Sequence, residues 1–322
     1  MKENKVPIAM ICDRNFIMQT KVAIASLKKN KNIDTVYDVF VILVDGNEED
    51  ARNFKVISSE DCYITARYIS VEKYSHIKQI AHVPLASLVK FDLCELIPEY
   101  DKILYLDGDI IVREDLCELY DFDLNDAYVA GVPHSIGIIT GEKKINGGIL
   151  LFNAKKIRDE HLQKVFIKTR ESLGERKSMD QETFHMVFGD KKIFLPPKYN
   201  VMIDKVDYEK KYYSVKSYNE FYGTEYKTRK EIVKTAAIIH FTGSIKPWKY
   251  DFAKCGKEWV SNYKNIYGDD TKLLLKDKKT YYKEQIEKNG LRCVYWMMKD
   301  KILQVIGDVF HIFLDRSYGQ WN

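Results

Sequence analysis

The chain has 322 residues, of which 45% are hydrophobic and 30% are charged, a composition typical of a globular protein with a substantial core. The formal net charge is +4, and residues 271–322 alone hold ten Lys/Arg against six Asp/Glu, so the rest of the chain is close to neutral. This balance argues against broad nucleic-acid binding by the body of the chain, and it makes the tail a candidate for contact with an anionic surface.

The cysteines and the apolar segments give information on the cellular compartment of the protein. The six cysteines are scattered, without a CxxC pair, so we expect reduced core thiols and neither a disulfide framework nor a zinc site. The apolar segment 6–12 is short and runs directly into Asp13, unlike a signal peptide. The longest late apolar stretch is interrupted by Asp308 and His311 and is too short to cross a bilayer. The sequence therefore predicts a cytoplasmic protein.

Apolar runs of strand character alternate with longer helical patterns in the first half of the chain, which predicts an α/β fold with a mostly parallel sheet and flanking helices. The predicted strands are 8–12, 37–44, 103–106, 127–132 and 147–153, and the predicted helices are one around 22–27, one capped by Asn47, and 84–97, 155–172 and 179–188. A composition shift near Tyr267 separates a predicted domain, 1–267, from a basic, aromatic helical tail, 268–322.

Two carboxylates follow the third of these strands. Asp107 and Asp109 form a DxD motif around Gly108, which lets the backbone bend before the apolar character resumes at 110–112. Residues i and i+2 of an extended segment project to one side, so both carboxylates can converge on one hard cation. A solvated surface turn is the competing interpretation of this motif when it is taken alone.

His240 ends an apolar run, 236–239, and begins the loop HFTGSIKPW. A neutral imidazole is a good third metal ligand beside two carboxylates. Gly243 would let the backbone approach a phosphate, and Lys246 would neutralise its charge. The alternative is a buried structural histidine before a loop that Pro247 and Trp248 stabilise.

Two further polar pairs lie at predicted boundaries. Asp180 and Gln181 fall at a helix start, where Ser178 and Gln181 also make a capping box, and helix N-termini attract polar substrates as well. Asn146-Gly147 is typical of a hairpin-like turn, because Asn-Gly favours positive φ. Alternatively, the Asn146 side-chain amide could bind a hydroxyl-rich ligand, and Gly147 would let the backbone come close to that ligand.

The ends of the early elements supply the remaining candidates. Asp13 and Asn15 could simply cap the first helix, or they could bind a nucleobase and ribose. Lys90 lies on the helix before the DxD strand, where most single lysines face solvent. Ligands of open α/β sheets bind beyond the carboxyl ends of the strands, so Asp13 and the DxD motif are expected to face one crevice.

Together these motifs resemble glycosyltransferase family 8 over roughly residues 6–250, through LYLDGDIIV paired with HFTGSIKPW and supported in order by NGGILLFN and MDQETF. The family includes glycogenin, galactinol synthases and bacterial lipopolysaccharide galactosyl- and glucosyltransferases. The resemblance implies a GT-A nucleotide-diphosphosugar transferase fold, a UDP-sugar donor, a divalent metal and retention of anomeric configuration.

The resemblance also implies residue roles by matching position. Asp107, Asp109 and His240 would bind the metal, Mn²⁺ or alternatively Mg²⁺. The substrate contacts would be Asp13 and Asn15 with uridine, Gly243 and Lys246 with the diphosphate, Lys90 with the sugar or phosphate, Asn146, Gly147 and Asp180 with sugar hydroxyls, Gly108 between the two aspartates, and Gln181 near the reacting face.

One departure from the family concerns the donor sugar. Relatives often have an aspartate close to the position of Pro133-His134, where it helps to select donor hydroxyls, so UDP-glucose and UDP-galactose both remain expected donors. Gln181 is a poor nucleophile, so we expect same-face attack by the acceptor hydroxyl. Asp180 is the covalent alternative.

The predicted function is transfer of a hexose to a glycan or lipid-linked glycan in lipopolysaccharide or other surface-polysaccharide synthesis. The alternatives are a noncatalytic sugar-nucleotide or glycan-binding protein on the same fold, and an inverting transferase or nucleotidyltransferase with another DxD. Apolar residues from Leu291 to Ile312 recur every three or four positions, with lysines and aromatic residues nearby. This stripe predicts peripheral docking on the inner face of the cytoplasmic membrane, or else packing on the catalytic domain.

Overall fold

The computed structural model describes residues 4–77, 85–174, 180–208 and 213–289. The strands are β1 (Asn4–Cys12), β2 (Thr35–Val44), β3 (Cys62–Ile69), β4 (Lys102–Leu106), β5 (Ile110–Val112), β6 (Val129–Pro133), β7 (Ile145–Asn153), β8 (Lys192–Phe194), β9 (Val201–Met202) and β10 (Ile238–His240). The α-helices are α1 (Ile17–Lys29), α2 (Glu48–Lys55), α3 (Leu93–Leu96), α4 (Cys117–Tyr120), α5 (Gly137–Thr140), α6 (Ala154–Asp159), α7 (Leu162–Leu173), α8 (Gln181–Phe188), α9 (Ile203–Tyr208), α10 (Val215–Tyr222), α11 (Arg229–Lys234), α12 (Gly256–Tyr267) and α13 (Lys278–Asn289). Short 3₁₀ helices occupy Arg14–Phe16, Val71–Tyr74, Leu85–Asp92 and Pro197–Asn200.

The central sheet has seven strands in the order β3-β2-β1-β4-β7-β6-β8. The pairs β3/β2, β2/β1, β1/β4 and β6/β8 are parallel, whereas β7 runs antiparallel to both of its neighbours. A smaller sheet, β5-β10-β9, pairs β10 antiparallel with β5 and parallel with β9. The predicted α/β fold with a mostly parallel central sheet is confirmed.

Alternation along the strands builds a core on both faces of the central sheet. On β1, Ile8 faces one side and packs in a cluster with Ile24 of α1, while Ala9 faces the other side and shares a cluster with Phe91 and Phe184. A third cluster lies under the smaller sheet around the fully buried Trp259 of α12. Each such large side chain contributes about 1.5–3 kcal/mol by leaving water.

Several local predictions were wrong. The segment 146–148 lies inside β7, between Ile145, which pairs with β6, and Ile149, which pairs with β4, so it is a strand rather than a hairpin turn. The single predicted helix 155–172 is two helices, because His161 adopts a left-handed φ of 53° between α6 and α7. The predicted helix 84–97 is a 3₁₀ helix followed by α3, and its first residue lies outside the described residues. Strand β3 was not predicted.

The tail is described only through α13. The predicted amphipathic stripe 291–312 lies outside the described residues, as does Ser178 of the predicted capping box. Within the part of the chain that the structure describes, every helix is too short or too polar to cross a membrane.

Candidate active site

The three predicted metal ligands lie together where β4, β5 and β10 meet. Asp107 and Asp109 occupy the bend between β4 and β5, and β10 pairs with β5 so that His240 lies opposite Ile110. The His240 Nε2 atom is 3.1 Å from Asp109 Oδ1 and 3.7 Å from Asp107 Oδ2. One potential ligand atom from each residue lies within 4.8 Å of the other two.

The chemistry of this cluster fits a divalent cation. Two carboxylate oxygens and one imidazole nitrogen form a mixed oxygen and nitrogen ligand set that suits a divalent cation. The His240 side chain is buried, and its Nε2 faces two anionic oxygens. A cation bound here would relieve the repulsion between the two carboxylates.

Two glycines leave room for the side chains that surround the three predicted metal ligands. A Cβ atom on Gly148 of β7 would lie 2.2 Å from His240 Cε1 and 2.9 Å from Asp107 Oδ2. A Cβ atom on Gly108 would lie 2.7 Å from the Thr20 hydroxyl oxygen and 3.1 Å from Phe16 Cδ1. Neither glycine has a positive φ, so what each position requires is the absence of a side chain.

Lys246 reaches the same cluster from the loop after β10. Its Nζ lies 2.8 Å from Asp109 Oδ2 and also donates to the carbonyl of Phe241. Burial alone would raise the pKa of the Asp109 carboxyl, but the contacts with His240 and Lys246 outweigh it and hold that pKa well below its ordinary value. Asp109 is therefore ionised at neutral pH, as a metal ligand must be.

Lys90 is buried, so the alternative of a solvent-facing lysine does not hold. The ammonium lies 2.7 Å from Asp180 Oδ2, 2.9 Å from the carbonyl oxygen of Gly147 and 3.5 Å from Asp107 Oδ1. Burial would lower the pKa of Lys90, but Asp107 and Asp180 more than compensate and raise it. Lys90 thus links the DxD motif to the start of α8.

Gln181 and Asp180 lie beside the glycine of β7. Gln181 is the first residue of α8, and its Cγ is 3.1 Å from the point that a Cβ atom of Gly147 would occupy, with Asp180 Oδ2 at 3.0 Å. Asp180 makes no side-chain cap hydrogen bond, because its carboxylate pairs with Lys90. The structure therefore brings Asn146-Gly147 and Asp180-Gln181 into one neighbourhood.

Asp13 and Asn15 line a different part of the crevice. Asp13 accepts a hydrogen bond of 2.8 Å from the Asn15 backbone N–H and caps the 3₁₀ helix Arg14–Phe16, whereas α1 itself follows Phe16 without a side-chain cap. A cleft of about 290 Å³ opens here at the carboxyl ends of β1, β2 and β3. It is lined by Asp13, Arg14, Asn15, Val44, Asp45, Val71, Leu85 and Ala86.

Phe16 joins this cleft to the metal-ligand cluster. Its ring lies edge-on to Trp248 at 5.8 Å and borders Gly108. In the same loop as Trp248, Gly243 packs so closely on Asp204 that a Cβ atom would lie 2.6 Å from Asp204 Oδ2. Phe16, three residues after Asp13, therefore lies beside both the DxD bend and the HFTGSIKPW loop.

His134 occupies the position where the aspartate of relatives was expected. It follows β6, and its Nδ1 accepts a hydrogen bond of 3.0 Å from the backbone amide of Ile136. Burial, together with the nearby positive charge of Lys205, lowers the pKa of His134 from 6.5 to about 4. The side chain is therefore a neutral imidazole at physiological pH.

Two supporting residues were missed by the sequence analysis. Tyr105 donates its hydroxyl to Asp107, two residues on, and burial followed by the charge of Asp107 raises its pKa well above the ordinary value. Asn200 is 1% exposed and contacts His240 Nδ1 through Oδ1 at 2.9 Å. The only signal for Asn200 was a single amide between aromatic and apolar neighbours in PKYNVM.

The fold of this chain is that of the GT-A-type glycosyltransferases. The model of glycosyl transferase family 8 matches residues 7–251, and the chain belongs to this family. A solved structure of an active-site mutant of LgtC superposes with a TM-score of 0.69 at 21% identity, over 81% of this chain and 96% of that one. A structure of galactosyltransferase LgtC in complex with donor and acceptor sugar analogues gives a TM-score of 0.65 at 21% identity, over the same shares of the two chains.

Two bacterial relatives match this chain over about half of their own length. Glycosyltransferase GlyE of Streptococcus pneumoniae is 27% identical over 210 residues, which is 63% of this chain and 49% of GlyE. The lipopolysaccharide 1,2-glucosyltransferase of Escherichia coli K12 is 26% identical over 56% of each chain. The chain thus spans about half the length of these relatives.

Proposed function

We propose that this chain is a metal-dependent retaining glycosyltransferase that transfers a hexose, glucose or galactose, from a UDP-sugar to a glycan acceptor. The observation that carries the proposal is the convergence of Asp107, Asp109 and His240 within 4.8 Å, with Lys246 against Asp109. A noncatalytic binding protein would not need this complete ligand set, so the enzyme is the better supported function.

The divalent ion, Mn²⁺ or alternatively Mg²⁺, would offset the negative charge that develops on the leaving diphosphate. Asp107, Asp109 and His240 would hold it, while Lys246 and the backbone at Gly243 would bind the diphosphate itself. The Lys246 Nζ atom lies 2.8 Å from Asp109 Oδ2. Its positive charge would therefore stabilise the departing diphosphate, and no proton donor would be needed for that step.

The donor would lie along the crevice from the β1 cleft to β7. Asp13 and Asn15 would contact the uridine in the 290 Å³ cleft, and Asn146, Gly147 and Asp180 would bind the sugar hydroxyls. The ion pair between Lys90 and Asp180 would keep that carboxylate oriented toward the sugar. His134 presents an imidazole where relatives present an aspartate, so it would bias the choice of donor.

Retention is proposed to follow same-face attack by the acceptor hydroxyl. Gln181, near the reacting face, is an amide and a weak nucleophile. Asp180, the covalent alternative, has one carboxylate oxygen 2.7 Å from the Lys90 ammonium, which lowers its nucleophilicity. Both observations support transfer without a sugar covalently bound to the chain.

The acceptor is proposed to be a glycan or lipid-linked glycan of lipopolysaccharide or another surface polysaccharide. Two relatives support this proposal, because they are lipopolysaccharide 1,2-glucosyltransferases of Escherichia coli. Such an acceptor fits a cytoplasmic enzyme that docks peripherally on the inner face of the cytoplasmic membrane.

Asp109→Asn tests the metal-dependent activity. This near-isosteric change removes the charge of a direct metal ligand. It should lower turnover by more than about 10²-fold, because loss of an outer-shell partner already costs up to about that much. Circular dichroism should show a folded chain, and calorimetry should show that Mn²⁺-dependent UDP binding is lost.

The matched control is Asp101→Asn, which removes a carboxylate whose side chain is 79% exposed. It should leave both turnover and UDP binding unchanged. Full activity of Asp109→Asn, or of the wild type in excess chelator, would refute the proposed function.

A further inference from the structure

A continuous series of buried hydrogen bonds connects β7 with the candidate metal ligand on β10. The backbone N–H of Gly148 donates to Asn146 Oδ1 at 3.0 Å, and Asn200 Nδ2 donates to the same oxygen at 2.9 Å. Asn200 Oδ1 then lies 2.9 Å from His240 Nδ1. Asn146, Asn200 and His240 are all at most 5% exposed, so water does not compete for these bonds.

The direction of every bond in this series follows from its first donor. A backbone N–H can only donate, so the Asn146 atom that it meets is the carbonyl oxygen. Asn200 must therefore donate through Nδ2 to that oxygen, which turns its own carbonyl oxygen toward His240. His240 Nδ1 must then carry a proton, which leaves Nε2, the nitrogen that faces Asp107 and Asp109, as the atom for metal binding.

The same series holds the Asn146 side chain. With its oxygen fixed by two donors, the Asn146 Nδ2 group is left for another acceptor, and in the described part of the chain it has no protein partner. This amide lies one residue from Gly147, in the neighbourhood proposed for the donor-sugar hydroxyls. One side chain, Asn200, thus orients a group at each of two proposed binding positions.

We propose that Asn200 is a positioning residue that sets the tautomer and ring orientation of His240 for metal binding and couples this ligand to the sugar-facing amide of Asn146. The inference rests on the proposed function, since it assigns a role within the same site. Buried partners of ligating histidines commonly act in this way, and their loss costs about 10- to 100-fold in metal affinity.

The first test compares Mn²⁺ affinity, measured by electron paramagnetic resonance, in the wild type and Asn200→Ala. The variant should bind Mn²⁺ about 10- to 100-fold more weakly, because the ring loses its acceptor and can rotate or change tautomer. Asn262→Ala is the matched control, since Asn262 on α12 is also buried and its side-chain amide donates to the Glu258 carbonyl of the same helix. It should leave Mn²⁺ affinity unchanged.

The variant Asn200→Asp separates the effect of Asn200 on His240 from its effect on Asn146. A carboxylate still accepts from His240 Nδ1, so Mn²⁺ affinity should stay within about threefold of the wild type, below the usual loss for such partners. It cannot donate to Asn146, so the KM for the UDP-sugar should rise while the metal affinity is kept. A purely structural role for Asn200 would not produce this split.

The tautomer can be read directly and without metal. In ¹⁵N-histidine-labelled wild type at alkaline pH, long-range ¹H–¹⁵N spectra should show His240 protonated at Nδ1, with His240→Gln identifying its signals among the seven histidines. In Asn200→Ala the proton should move at least partly to Nε2.

The outcomes separate this inference from the proposed function. If the wild type binds no Mn²⁺, the proposed function is contradicted. The NMR measurement of which His240 nitrogen carries the proton then tests the tautomer assignment by itself. A wild type with the proton on Nε2, or a folded Asn200→Ala with unchanged Mn²⁺ affinity, would overturn the inference. Should Asn200→Ala fail to fold, the wild-type spectrum and Asn200→Asp still decide it.

Discussion

Gln181 is proposed to lie near the reacting face without acting as the nucleophile. It begins α8 beside Gly147, and as an amide it can stabilise developing charge but is a weak nucleophile. Gln181→Ala should lower kcat by roughly 10²-fold, as for loss of one preorganised dipole, without abolishing transfer. Met186→Ala, on the exposed face of the same helix, should leave kcat unchanged.

The anomer of the first product completes this prediction. An α-linked UDP-sugar should yield an α-linked product by NMR in both the wild type and Gln181→Ala. A β-linked product would contradict retention.

At the residue scale, sequence reasoning found the groups whose chemistry is visible locally. Asp107 and Asp109 are two positions apart after an apolar strand, so their convergence could be predicted from pattern, whereas the addition of His240 to the same ligand set depended on the family resemblance. The structure brings the three together. Lys90 and Asn200 could not be placed in this way, because their partners Asp180 and His240 lie 90 and 40 residues away in the chain.

Strand β7 carries the closest packing of the site. Gly148→Ala would place a Cβ atom 2.2 Å from His240 Cε1, so the ring or the strand must move. We expect a loss of about 1–3 kcal/mol in the free energy of unfolding, typical of overpacking. Mn²⁺ affinity should also fall, by about 10-fold or more, because the displaced ligand is a direct one.

Gly256→Ala is the control for this prediction. The nearest atom to its added Cβ, Ala253 Cβ, would be 3.4 Å away in ordinary contact, so the free energy of unfolding should change by no more than about 0.5 kcal/mol. Chemical denaturation and Mn²⁺ titration measure both variants. An unchanged Mn²⁺ affinity in Gly148→Ala would show that His240 is not a ligand.

Among the elements, those with a strong apolar period were predicted and those that depend on tertiary pairing were not. Strands β1, β2 and β4 are continuous apolar runs because both of their faces are buried. Asn146-Gly147-Gly148 has the local preference of a turn, but the residues on both sides pair with β6 and β4, and the Gly148 carbonyl accepts from the Asp107 N–H, so the segment stays extended. Strand β3 has mostly half-buried or exposed side chains, so its apolar signal was weak.

For the whole molecule, the tail from 268 onward is the segment whose role is least determined by the fold. The family match ends at residue 251, and the division at 267 and the proposed membrane docking both stay predictions. Removing residues 290–322 should release the protein from anionic vesicles at low salt, because basic and aromatic side chains would supply the binding. UDP-sugar hydrolysis should be largely kept.

The measurement for this prediction is vesicle co-sedimentation with neutral vesicles as the control. If the truncated chain unfolds, or if the full-length chain does not bind anionic vesicles, the stripe packs on the catalytic domain and does not act as an anchor.

The most direct measurement of the central claim is UDP release by the full-length chain from a panel of UDP-sugars, with Mn²⁺ and with excess chelator. We predict hydrolysis of UDP-glucose or UDP-galactose that requires the metal and disappears in chelator, because Asp107, Asp109 and His240 form the ligand set on which departure of UDP depends. Release that is equally fast in chelator, or no release from any UDP-sugar by a folded chain that binds UDP, would contradict the account.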